Sequence, residues 1–154
     1  MSETRDPQAA VQEGSGQEST SPPTPARRAM ALLATGVMAL SAAQFLFAGF
    51  GAFGGGYTPH LIIGWIIAAL SILVLGAAVA AHVERSYLFS AVALVVLAVV
   101  VAPLAVELTG RGASILSTSF SGAPKSWLGA AHAFVGLVIF GTAGRIMAAG
   151  RPAR

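Results

Sequence analysis

The sequence predicts an all-α integral membrane protein, an up-down four-helix bundle with a disordered N-terminal tail. Three observations predict it. Only 10% of the 154 residues are charged and the mean hydropathy is +0.76, whereas soluble domains carry about 25% charged residues to cover their surface. Four apolar stretches each reach the about 20 residues that a helix needs to cross the hydrocarbon core. The turns between the first three stretches are short, which makes sequential helices antiparallel neighbours.

Residues 1–26 set Glu3, Asp6, Glu13 and Glu18 against Arg5, among Ser, Thr, Gln and Pro. Such a segment lacks the apolar surface to offset chain entropy, so a disordered cytoplasmic tail is expected. The transmembrane domain spans 27–150, with helices expected over 29–53, 59–82, 87–107 and 127–149. Residues 151–154 form a second, short cytoplasmic tail. Each apolar stretch must be helical, because a lone segment in lipid can satisfy its backbone no other way. Gly54-Gly55-Gly56-Tyr57-Thr58 reads as a tight turn, and Val83-Glu84-Arg85-Ser86 as a second. The third connection, 108–126, is longer and rich in Gly, Ser and Thr. Arg27-Arg28, an apolar run and Ser41-Ala42-Ala43 have the outline of a cleavable signal. The long preceding tail and the continuation of the run to Phe53 favour a retained helix.

Pro59 suits the first turn of its helix. Pro103 should kink the third helix and free a carbonyl near Val99. Arg27, Arg28, Arg85, Arg145, Arg151 and Arg154 fall on one side of the bundle, and only Arg111 and Lys125 on the other. The positive-inside rule makes the first side cytoplasmic, with both termini there, in a multi-pass protein of the cell membrane. Tyr57, Tyr87 and Trp127 lie at helix ends, where interfacial aromatics belong.

Composition excludes several functions. The net charge is +3, but the basic residues sit singly at helix ends and form no patch for nucleic acid. No cysteine is present, which removes disulfides, thiol catalysis, iron–sulfur clusters and thiolate zinc sites. Gly54-Gly55-Gly56 has no following Lys-Ser/Thr and is no phosphate loop. Ser-His-Asp and zinc arrangements lack members, so no catalytic residue is assigned.

Gln44, His60, Ser71, Glu107 and His132 are the polar exceptions within the apolar stretches. Ionisable groups inside a membrane span are costly and count as functional candidates. Gln44, His60, Glu107 and His132 fall in the outer half, one on each helix. The histidines share a pattern: Gly64 lies four residues after His60 and Gly136 four after His132. That spacing puts each pair on one helix face, and glycine lets a flat group or a neighbouring backbone approach. Helices 2 and 4 are diagonal in an up-down bundle, with axes about 11–14 Å apart if neighbours are 8–10 Å apart.

Three functions follow. The first is a non-enzymatic accessory or structural membrane component, in which the histidines and small-residue faces serve helix packing. The second is a single-haem protein, with His60 and His132 as axial ligands to haem b iron and Gly64 and Gly136 making room. The third is a small-solute or proton-coupled carrier using Gln44, Glu107 and His132. Glu107 also pairs naturally with Arg111, four residues on. The partners expected are the lipid bilayer and, through glycine-rich faces, a second copy or a membrane complex.

The runs Ala43-Gln44-Phe45-Leu46-Phe47-Ala48-Gly49-Phe50-Gly51, Pro59-His60-Leu61-Ile62-Ile63-Gly64-Trp65 and Ala131-His132 with Gly136-Leu137 resemble a family of small bacterial four-helix membrane proteins catalogued as a domain of unknown function. The resemblance covers about residues 28–150. It implies the fold and the interest of Gln44, His60 and His132, and no activity. The chain departs from that pattern at Ala133-Phe134-Val135, where the family usually has a polar residue. A looser likeness to haem-b four-helix membrane proteins rests on fold and paired histidines alone.

Overall fold

A computed structural model describes residues 22–104 and 126–150. The expectations for most of the N-terminal tail, Glu107, Arg111, Lys125, most of the third connection and residues 151–154 lie outside the described residues. Among the described residues four helices form: α1 (Pro25–Phe50), α2 (Thr58–Ala80), α3 (Arg85–Leu104) and α4 (Ser126–Ala149). All four are long and apolar enough to span a membrane. At 1.5 Å per residue, the 23 residues of α2 reach about 34 Å, against a hydrocarbon core of about 30 Å.

α1 begins four residues earlier than expected. Thr24 caps it by accepting from the Arg27 amide at 3.3 Å, and Pro25 occupies the first turn, where a missing N–H leaves nothing unpaired. The helix continues through Ser41-Ala42-Ala43 without a break. Its last winding, Gly51–Gly55, is π-type, and helical geometry fails at Phe53 and Gly54. Gly54 (φ +94°) and Gly56 (φ +81°) adopt a backbone that a side chain would oppose. The Tyr57 ring folds back onto Gly51, where a Cβ would lie 2.8 Å from it.

α2 ends at Ala80, two residues before the expected boundary, because the chain turns at His82 with φ +48°. In α3 the effect of Pro103 takes the form of a π-turn over Leu97–Val101, with the Ala102 amide bonded back to the Leu97 carbonyl. Helical backbone resumes to Leu104. Such widened turns accommodate a break in the hydrogen-bond ladder.

Neighbours in sequence are neighbours in space: α1 packs on α2, α2 on α3, α3 on α4 and α4 on α1. α2 and α4 therefore run parallel on one diagonal. One end of the bundle gathers the start of α1, the α2–α3 turn and the end of α4; we call it the terminal end. The opposite, turn end holds the α1–α2 connection. Core residues with no exposure (Met30, Ala34, Val37, Val74, Ala91, Leu94, Ala143 and Ile146) lie in the terminal half or near the middle. Gly150 closes that half, since a Cβ there would lie 2.6 Å from Ala31 and 2.8 Å from the Arg27 carbonyl. Arg27, Arg28, Arg85 and Arg145 are exposed at the terminal end, and the Arg145 guanidinium stands 5.7 Å from the Tyr87 ring centroid.

Candidate binding cavity in the turn-end half

The turn-end half is hollow. A cavity of about 310 Å³ lies between the four helices, within the range of small-molecule sites. α1 supplies Ser41, Gln44 and Phe45; α2 supplies His60, Gly64 and Trp65; α3 supplies Ala98, Ala102 and Pro103; α4 supplies His132 and Gly136. The void has a local cause. α3 presents only small side chains and a proline to it, beside a π-turn that widens the backbone. Ile67, Ala68 and Ile139 form its floor, each 5% exposed. From Gln44 the cavity continues one turn deeper to Ser41.

His60 and His132 enter from diagonal helices and meet at one depth, with ring centroids 5.9 Å apart and planes inclined by 55°. His60 sits in the first turn of α2, and its ring meets Tyr57 edge-on at 6.4 Å. Its Nδ1 lies 3.2 Å from the Gln44 carbonyl oxygen. A carbonyl can only accept, so Nδ1 carries the hydrogen and Nε2 keeps a free lone pair. The bond joins α2 to α1 and fixes the ring. The Ala102 carbonyl faces the His132 ring, yet the buried Nδ1 of His132 completes no hydrogen bond.

Two more buried polar atoms have no partner among the described residues, Ser41 Oγ and Gln44 Oε1. A buried polar atom without a partner costs about 1–3 kcal/mol, and more is at stake in lipid, where no water substitutes. All three belong to residues that line the one cavity.

The structure brings together every site residue expected from sequence except Glu107, which lies outside the described residues. Gly64 and Gly136 face the cavity, though side chains already border them. A Cβ at Gly64 would lie 3.2 Å from Gln44 Nε2, and one at Gly136 would lie 3.6 Å from the Phe45 ring. Ser71 belongs elsewhere: it is fully buried and donates to the Ile67 carbonyl at 2.7 Å. Sequence reasoning missed Ser41, although it precedes Gln44 by three residues and so shares its face. It missed Ala98 and Ala102 because alanine carries no signal of its own. Among the described residues no group of three or more His, Asp or Glu could hold a metal ion unaided.

Comparisons with family models, curated proteins and solved structures each returned no match. The reading of this site rests on its geometry.

Proposed function

We propose that this protein is a non-enzymatic accessory component of the cell membrane that holds a flat, largely apolar molecule in the turn-end cavity. One observation carries the reading: Ser41 Oγ, Gln44 Oε1 and His132 Nδ1 are all buried without partners around a single apolar cavity. Packing alone would pair such atoms across helices, as it pairs His60 with Gln44. The closed terminal half supports a holder over a carrier, since a conduit needs polar groups beyond the floor of Ile67, Ala68 and Ile139. The arginines at the terminal end support a cytoplasmic location for that end, which puts the cavity in the outer leaflet. A second copy or a membrane complex would pack on exposed glycines such as Gly76 and Gly141, where an added Cβ would meet nothing within 4 Å.

The test is native mass spectrometry of the full chain in a mild detergent, with Ala102→Phe as a variant that fills the cavity. The expected result is a bound small molecule on the wild type that Ala102→Phe lacks at unchanged thermal stability. Well-folded wild type with no bound molecule would overturn the reading.

A further inference from the structure

We propose that the molecule held in the cavity is a non-covalently bound haem, ligated axially by Nε2 of His60 and by His132. The inference rests on the cavity reading above and names its ligand.

The donor set points there first. With the His60 Nδ1 hydrogen directed at the Gln44 carbonyl, what His60 offers the cavity is a lone pair. Gln44 Oε1 is a second unpartnered acceptor beside it. Such a site takes a Lewis acid or a hydrogen-bond donor and repels a further acceptor. A backbone carbonyl on Nδ1 is also the usual outer partner of a metal-bound histidine, because it fixes the tautomer and raises the basicity of Nε2.

Separation points the same way. Two imidazole nitrogens each about 2 Å from one shared metal put the ring centroids roughly 6 Å apart when they face each other. The observed separation is 5.9 Å. The two rings come from diagonal helices and are brought together without a hydrogen bond between them.

The metal must bring its remaining ligands. Two imidazoles are too few for a bare zinc or calcium ion, and no third His, Asp or Glu joins them among the described residues. An iron porphyrin supplies four in-plane nitrogens and asks the protein for two axial ligands. Its flat, apolar body suits a cavity walled by Phe45, Trp65, Ala98 and Ala102. The chain has no cysteine, so thioether attachment is impossible and the haem is not of the c type.

The experiment uses the full chain, produced with a haem precursor and purified in mild detergent. Absorption is recorded oxidised and reduced, with haem and protein quantified separately. About one haem per chain is expected, with the narrow visible bands of low-spin, six-coordinate iron. His60→Ala and His132→Ala should each lose that spectrum, and added imidazole should restore it. Variants that do not fold are replaced by His60→Met and His132→Met, which should keep haem and shift the bands. A folded protein without haem, or a spectrum indifferent to both histidines, overturns the assignment. If haem is absent but native mass spectrometry finds another molecule that Ala102→Phe excludes, the haem fails and the cavity reading stands. If nothing is bound, both fail. A zinc titration run beside it should show no stoichiometric binding; tight binding that depends on both histidines would assign the pair to a bare ion instead.

Discussion

The two halves of the bundle are built from the same residue types and do opposite things. In the terminal half, Met30, Val37, Val74, Leu94 and Ile146 are fully buried against one another, and Gly150 lets α4 close onto the Arg27 carbonyl. In the turn-end half, helices of similar composition leave about 310 Å³ open, and three of the residues around the gap carry buried polar atoms without partners. The contrast lies in α3. Midway along, it contributes Leu94 to the core, and from the π-turn onward it contributes only Ala98, Ala102 and Pro103 to the cavity wall. Lipid tails are as apolar as leucine, so filling a void between membrane helices gains contact energy and little hydrophobic energy.

The comparison can be broken most sharply at the closed end. Gly150→Val should lower stability by about 3 kcal/mol, because the new side chain meets a backbone carbonyl that cannot step aside. Thermal unfolding in detergent reads this, and an unchanged midpoint would mean that α1 and α4 do not close there. Leu94→Ala should follow with a loss of about 2 kcal/mol from an unfilled core, whereas His132→Ala in the ligand-free protein should change stability far less. Equal losses at the two sites would erase the distinction between a packed half and a binding half.

A finer test uses two serines. Ser71→Ala removes a hydrogen bond to the Ile67 carbonyl and should destabilise by about 0.5–1 kcal/mol. Ser41→Ala removes an atom that has no partner, and should be neutral or slightly stabilising in the ligand-free chain while weakening ligand retention. The opposite signs, read on the same melting assay, separate a satisfied core hydroxyl from a site hydroxyl. The smallest effect belongs to Arg145→Ala, which removes the contact with Tyr87 and should shift stability by no more than about 0.5 kcal/mol.

Much of the fold was legible in the sequence. Apolar length marked four helices, and the short turns at Gly54-Gly55-Gly56 and Val83-Glu84-Arg85-Ser86 marked their antiparallel order. The early start of α1 at Pro25 was missed, because Arg27 and Arg28 look like the end of an apolar span although Thr24 can cap a helix that extends past them. Pro103 announced a disturbance, but not that it would be absorbed as a five-residue π-turn over Leu97–Val101. Of the candidate site, Gln44, His60 and His132 stood out because polar residues are rare in these spans. Ser41, Ala98 and Ala102 did not, since one is small and the others are among the commonest residues here.

By itself the sequence determined four segments long and apolar enough to cross a membrane as helices, the one form in which a lone segment can satisfy its backbone in lipid. It also determined which helix faces carry the polar residues, since spacing along a helix sets direction. Only the tertiary structure decided that two imidazoles from separate helices meet at 5.9 Å, that His60 spends its Nδ1 hydrogen on Gln44, and that Ser41, Gln44 and His132 keep atoms without partners. Those outcomes depend on helix rotation and relative height, which the packing of small side chains sets and periodicity does not encode.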